Sequence, residues 1–417
     1  MTAAEHIVIV GAGHAGGRVA QHLRESGYPH AITMVGDEPG DPYERPALSK
    51  EFLLGQADAA SLAIAPQTFW AASNVRRVRA RASGLDAARR TLTLDDGTAL
   101  PFDRLVVATG GRARRARVPG GDAPGIHTLR TLEDSERLRE ALKGARRAVI
   151  VGAGVIGMEC AASAASMGVK VTVLEAGAGI LGRCLPAPVA RWLAGVHAAN
   201  GVRIFTNVQV TGISHDASAP WPWCVATTMP TGEPAEYQAD VVLCAVGIDC
   251  SVDFLLDSGI GTRDGVLVDE RCSSPVAPWC LAAGDVALTP HPRYGAAIRQ
   301  ETWRNAENQA RAVAEFLLGR RDPYVETPWM WTDQWGHNIQ VVGHPAPGDE
   351  WVIRESEAHV PAVTFFLREG RLAGGALVDC GRDRRYLERL VDAQATLDVA
   401  RLRDRSVSLK SLAQESV

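Results

Sequence analysis

Lysine is nearly missing from this 417-residue chain. Of 44 basic residues only Lys50, Lys143, Lys170 and Lys410 are lysines, and arginine supplies the rest. Close cysteine pairs are missing too. The eight cysteines stand at 160, 184, 224, 244, 250, 272, 280 and 380, with no Cys-x-x-Cys or Cys-x4-Cys spacing and none before residue 160. A redox-active dithiol normally shows as such a pair near the first strand–helix unit, so a thiol relay there is excluded. The eight read as small buried apolar residues of a reducing compartment. No run of about 20 apolar residues exists, so no membrane span is expected. The chain runs almost at once into the apolar stretch Ile7-Val8-Ile9-Val10, and no signal peptide is expected. A net charge of −4 excludes a protein driven globally onto nucleic acid. There is no Gly-x-Ser-x-Gly nucleophile motif and no P-loop. His291, His337 and His344 lack metal-ligand spacing, and no metal site is expected.

What the chain does have is two glycine fingerprints. The first, Gly11-Ala12-Gly13-His14-Ala15-Gly16, follows the apolar run 7–10 and precedes a helix read over 17–26 and closed by Gly27. A second strand over 31–35 then ends at Gly36-Asp37-Glu38. This β-α-β unit with an acid at its end fits a dinucleotide. The glycines let backbone N–H groups approach a pyrophosphate at the positive end of the helix, and the acid takes ribose hydroxyls. The second, Gly152-Ala153-Gly154-Val155-Ile156-Gly157, repeats the pattern between strands at 148–151 and 169–174 and ends at Glu175. An acid there repels a 2′-phosphate, and the following Ala176-Gly177-Ala178 offers no cation to clamp one, so NADH is expected over NADPH. Arg183 is the residue that could reverse this preference. Glu159 lies in the first turns of the second helix. It reads equally as a solvated helix-start glutamate or as a group beside the nicotinamide.

Two dinucleotides in one chain imply electrons passing between them. Three further apolar strands end in glycine turns: Thr109-Gly110-Gly111, the stretch 241–247 closing on Gly247, and Gly284-Asp285. In a two-nucleotide flavoprotein a Gly-Asp of this kind places a carboxylate on the ribityl chain. A helix read over 298–318 follows it.

The segment Pro42-Tyr43-Glu44-Arg45-Pro46-Ala47-Leu48-Ser49-Lys50 resembles the Pro-Leu-Ser-Lys segment of the FAD-dependent ferredoxin reductases of bacterial P450 and Rieske oxygenase systems. Leu129-Arg130-Thr131-Leu132-Glu133-Asp134, residues 152–159, Gly284-Asp285, Glu301-Thr302-Trp303-Arg304-Asn305-Ala306 and Trp329-Met330-Trp331-Thr332-Asp333-Gln334 continue the match in family order. The resemblance runs from about residue 5 to about 410. It implies an α/β protein of glutathione-reductase-like architecture, with two Rossmann-like nucleotide-binding domains and a C-terminal α/β domain. The expected layout is an FAD domain over 1–115 and 245–325, an NAD domain over 116–244 and a C-terminal domain over 326–417. A helix end and linker at 320–323 precedes alternating apolar runs near 360–367 that suggest an antiparallel sheet.

The resemblance also implies roles. Ala15 and Asp37 contact the adenosine half of FAD, and Arg130 its pyrophosphate region. Asp285 holds the ribityl chain, and Trp303 sits by the pyrimidine edge of the ring. Lys50 lies near flavin N5, stabilises the anionic reduced ring and pairs with Glu159 when nicotinamide docks. These two are the expected catalytic residues. Gly152, Gly154, Gly157 and Glu175 hold NADH. Further expected cofactor contacts are His14, Glu38, Arg45, Ala82, Thr109, Gly110, Gly247, Glu301 and Trp331, with Val155, Ile156 and Arg183 on the nicotinamide side. The chain departs from the family at 249–253 and 287–294.

The implied activity is hydride transfer from NADH to FAD, then single electrons to a small acidic [2Fe–2S] ferredoxin feeding an oxygenase, in the cytoplasm, with no nucleic acid or membrane partner. Arg76, Arg77, Arg79 and Arg81, or Arg112, Arg114, Arg115 and Arg117, offer a docking patch or an ordinary solvated face. The missing early cysteine argues against dithiol reductases and against NADH oxidases or peroxidases. A signalling flavoprotein of the apoptosis-inducing-factor type and a quinone diaphorase stay as alternatives.

Overall fold

A computed structural model describes residues 5–415. The chain divides into two compact units. One comprises the chain through Ala47 with Ala57–Arg112 and Ile248–Glu326. The other comprises Leu48–Gln56, Ala113–Gly247 and the chain from Thr327 onward.

The first unit is built on a six-stranded sheet ordered Ser273–Ser274, Ala277–Ala282, Arg104–Val107, Ile7–Val10, Ile32–Gly36, Val75–Arg79. Ile7–Val10 pairs in parallel with a strand on each side, Ile7 opposite both Ile32 and Arg104. All four of its residues are buried, as a central parallel strand requires. One face of the sheet packs with Val19, Ala20 and Leu23 of the helix His14–Glu25 and with Ala310, Val313 and Ala314 of the helix Trp303–Leu317. The other face packs with Leu92, Leu94, Phe102, Val252 and Leu255. The second of these helices begins at Trp303 rather than 298. Ala296–Ile298 pairs instead with Ala287–His291 in a hairpin, and Thr302 caps the helix by accepting from the Asn305 N–H.

The second unit repeats the plan with a four-stranded parallel sheet ordered Arg203–Phe205, Lys170–Leu174, Arg147–Val151, Val241–Cys244. An antiparallel three-stranded sheet, Gln209–His215, Trp223–Thr228 and Pro234–Ala239, shares its core through Trp223, Val225 and Ala239. The C-terminal part is a five-stranded antiparallel sheet ordered Trp329–Gln334, His337–Gly343, Arg371–Val378, Val363–Arg368, Glu350–Arg354. The strand Val363–Arg368, in the antiparallel sheet expected near 360–367, is buried along nearly its whole length. Helices Arg384–Asp392 and Leu409–Glu415 contribute Leu387, Leu390, Leu409 and Leu412 to this core. Each such leucine contributes about 2 kcal/mol by leaving water.

Leu48–Gln56 groups with the second unit, although the sequence reading places it in the FAD domain. Three side chains hold its backbone there. Ser135 donates to the Leu48 carbonyl (2.7 Å), Ser163 to the Ser49 carbonyl (2.7 Å) and Arg139 to the Phe52 carbonyl (3.2 Å).

Candidate functional site

The two glycine turns are built alike. Gly11 and Gly152 adopt φ of +110° and +102°, a region closed to side chains. A Cβ on Gly11 would strike the Ala108 carbonyl, and one on Gly152 the Ala245 carbonyl. A Cβ on Gly16 would strike the Gly11 carbonyl, and one on Gly157 that of Gly152. The fold itself therefore demands the outer glycines. The middle ones are different. At Gly154 a Cβ would meet nothing within 4 Å, and at Gly13 only the Arg45 guanidinium at 3.3 Å. Gly13 and Gly154 are also the N-caps of their helices, and neither helix has a side-chain cap or a first-turn acid. Bare helix N-termini behind open glycines are seats for a phosphate. The residues thus fit two dinucleotides.

Around the first turn, Glu38 accepts from Arg45 (2.6 Å) and from the Tyr43 hydroxyl (2.5 Å). Asp37 pairs with Arg81 at 2.7 Å. Ala15 is buried beside Gly284, where a Cβ would sit 2.9 Å from it, and the Gly284 N–H donates to Gln309 at 2.9 Å. Asp285 follows in the same turn. Gly110 has φ +57°, and the Thr109 hydroxyl is buried with no protein partner, a polar atom left for a ligand. Trp303 is fixed by a chain the sequence reading missed. Its Nε1 donates to Glu44 (3.0 Å), Glu44 accepts from Arg18 (3.3 Å), and Glu307 accepts from Arg18 and bonds His14 (2.8 Å each). Glu301 pairs with Arg299, and Ala82 opens the strand Ala82–Asp86.

Around the second turn, Glu175 accepts from the backbone N–H groups of Ala153 and Gly177, both at 2.6 Å. It ties the end of its strand to the glycine turn. Val155 and Ile156 open the helix Val155–Ser166, with Ile156 exposed. A Cβ on Gly247 would lie 3.9 Å from the Arg183 guanidinium. Arg130 belongs to this second unit, and its backbone N–H is held by Asp134.

Glu159 is buried at 3% exposure, which removes the solvated alternative. Lys50 Nζ lies 3.3 Å from its Oε1, Thr332 donates to Oε1 at 2.6 Å, and Ser49 donates to Oε2. Burial pushes the Glu159 carboxyl up from its ordinary value, and Lys50, Ser49 and Thr332 pull against that. Lys50 also stands 6.0 Å from the Trp331 ring centroid. Ser49 and Thr332 lie inside the motif segments quoted above, but no spacing rule assigns them to Glu159. Of the two arginine clusters, Arg77, Arg81 and Arg112 pair with Asp41, Asp37 and Asp253. All eight cysteines are free. Among the described residues no helix is long and apolar enough to cross a membrane.

Residues 5–310 match the pyridine nucleotide-disulphide oxidoreductase family, and residues 329–413 match the reductase C-terminal family. The 3-phenylpropionate/cinnamic acid dioxygenase ferredoxin–NAD(+) reductase component of Photorhabdus laumondii is 34% identical over 92% of this chain and 95% of its own length. The ferredoxin reductase of the CYP199A2 system from Rhodopseudomonas palustris superposes with a TM-score of 0.90 at 33% identity, covering 98% of this chain and all of its own. The covalent putidaredoxin reductase–putidaredoxin complex superposes with a TM-score of 0.91 at 32% identity, covering 99% of each chain. The chain therefore belongs to the pyridine nucleotide-disulphide oxidoreductases, as a glutathione-reductase-like α/β flavoenzyme of the ferredoxin reductase type.

Proposed function

We propose that the chain is an FAD-carrying, NADH-dependent ferredoxin reductase that serves an oxygenase through a small acidic [2Fe–2S] ferredoxin in the cytoplasm. One observation carries this reading: two open, uncapped glycine turns in one chain, with a buried Lys50–Glu159 pair and no cysteine before residue 160. The relative whose name joins a ferredoxin to NAD(+) supports it.

Bound FAD supplies the redox chemistry, taking a hydride from NADH and releasing electrons singly. The first helix N-terminus, with Gly11, Gly13, Ala15 and Gly16, would seat its pyrophosphate, flanked by His14. Asp37, Glu38 and Arg45 would take the adenosine side, with Ala82. Thr109, Gly110, Gly284, Asp285, Glu301 and Trp303 would line the flavin side, and Arg130 the pyrophosphate region. Gly152, Gly154, Val155, Ile156, Gly157 and Gly247 would hold the nicotinamide nucleotide, with Arg183 nearby. Glu175 already accepts two backbone N–H groups, so a 2′-phosphate beside it would meet a fixed negative charge, which selects NADH. Lys50, flanked by Trp331, would supply positive charge to stabilise negative charge on the bound ring. Glu159 holds the Lys50 ammonium in one place.

The test mixes the purified protein with NADH or NADPH and a panel of [2Fe–2S] ferredoxins and follows cytochrome c reduction. Fast, NADH-dependent turnover that requires a ferredoxin supports the reading. A slow enzyme forming a long-lived complex with NADH, with any ferredoxin, overturns it in favour of a signalling flavoprotein.

A further inference from the structure

A file of buried polar side chains leads away from Glu159, and none of them is among the residues proposed above to hold a nucleotide. The strand Trp329–Gln334 turns into His337–Gly343 through Trp335-Gly336 alone, with φ of +55° and +78°. Positive φ at both positions is the two-residue hairpin geometry, but it is costly for a residue as bulky as tryptophan. The turn aims the Trp335 indole Nε1 at Nδ1 of His197 (3.1 Å), on the helix Ala187–Ala199. His197 Nε2 then meets Gln334 Oε1 (2.7 Å), Gln334 Nε2 meets Thr332 Oγ1 (2.8 Å), and Thr332 Oγ1 meets Glu159 Oε1 (2.6 Å). His197 and Thr332 are fully buried, and Gln334 is 2% exposed.

The hydrogens in this file have a single arrangement. An indole N–H only donates, so Nδ1 of His197 must accept and carries no proton. A neutral imidazole then holds its proton on Nε2, facing the Gln334 oxygen. Reversing the Gln334 amide would set an N–H against that Nε2–H, so the amide orientation is fixed as well. Gln334 donates to Thr332, and the one hydroxyl hydrogen of Thr332 goes to Glu159. An imidazolium would face the indole N–H with a second donor and is excluded.

Building on the proposed reductase function, we infer that Trp335, His197, Gln334 and Thr332 form a one-way hydrogen-bond chain whose work is to position the Glu159 carboxylate against Lys50. These four are positioning residues, since they act through Glu159. Each bond polarises the next, and the file anchors a catalytic side chain on a rigid hairpin and helix. Breaking it upstream leaves the Thr332 hydroxyl free to rotate away from the carboxylate.

Two measurements on the FAD-loaded protein test the chain. The first is independent of turnover: nitrogen-15 spectra of histidine-labelled protein, with the His197 signals assigned by their absence in His197→Gln. The expected form is neutral and protonated on Nε2. An Nδ1-protonated ring or an imidazolium overturns the inference. The second is single-turnover flavin reduction at saturating NADH. Gln334→Leu and His197→Leu should each slow it about fivefold, with NADH affinity held within about twofold, because one bond to a charged group is weakened. His197→Gln sets an amide N–H near the lost Nε2–H and should recover most of the rate lost in His197→Leu. In a Thr332→Val background Gln334→Leu should add less than about twofold, because the link is already cut. Losses that multiply in the double variant, or equal losses in His197→Gln and His197→Leu, mark a merely structural role and overturn it. Wild-type protein that NADH does not reduce at all would defeat the reductase reading instead, and the tautomer would still decide the chain.

Discussion

At the scale of single residues, the proposed function rests on two carboxylates, Glu175 and Glu159. Glu175 spends both carboxylate oxygens on backbone N–H groups of the turn region. Replacing it by alanine removes two bonds that shape the turn and the negative charge that, under the proposed function, would repel a 2′-phosphate. Glu175→Ala should lower kcat/KM for NADH about tenfold and narrow the preference over NADPH by at least as much, read from steady-state rates with both nucleotides. Glu159 is buried, and its carboxyl is displaced upward by desolvation, while the Lys50 charge holds it down. Lys50→Met removes the opposing charge, so the carboxyl must rise further. The acid limb of NADH-driven flavin reduction should move to higher pH in Lys50→Met, and should vanish in Glu159→Gln. A limb unmoved by Lys50→Met would show that another group sets it.

At the scale of elements, the nucleotide turns were legible and their surroundings were not. Gly11, Gly16, Gly152 and Gly157 stand out in sequence because a positive φ or a carbonyl at contact distance tolerates nothing else. The bounding strands were legible because continuous burial writes an unbroken apolar run. The helix start at Trp303 was not, because Thr302 caps it with a bond that apolar periodicity does not register. Nor was the setting of Glu159. Ser49 and Thr332 reach it from 110 and 173 residues away, and spacing along one helix says nothing of what packs on that helix. Leu48–Gln56 is the clearest case: chain continuity puts it with the first glycine turn, while Ser135, Ser163 and Arg139 hold it to the second unit. The C-terminal segment is fixed by a similar device. Arg354 is buried and donates to the carbonyls of Leu402 (2.9 Å), Val407 (2.8 Å) and Arg401 (3.2 Å). Arg354→Leu would leave those carbonyls unpaired, offset in part by the relief of a desolvated charge. A loss of roughly 2 kcal/mol is expected, with faster hydrogen exchange confined to residues 399–415. Uniform exchange across the chain would show that the arginine does not hold that segment.

At the scale of the whole molecule, both units carry histidines kept neutral by burial. His22 in the first, and His127, His197 and His344 in the second, all have pKa values lowered from 6.5, with desolvation the largest cause. As pH falls, the unfolded chain takes up these protons before the folded one does. The stability they contribute is therefore complete above about 6.5 and is lost as pH drops toward their folded values. The melting temperature should fall across that window, and less steeply in His197→Gln. An unchanged slope in that variant would mean His197 does not titrate on unfolding. The family to which this chain belongs takes its name from a disulphide, yet here the charged pair Lys50–Glu159 stands with no cysteine before residue 160. A bound flavin would then be the sole two-electron store. Anaerobic titration of the FAD-loaded protein with NADH tests this most directly. Flavin absorbance should bleach completely at one NADH per flavin, whereas a need for two equivalents, or no bleaching at all, would contradict the account.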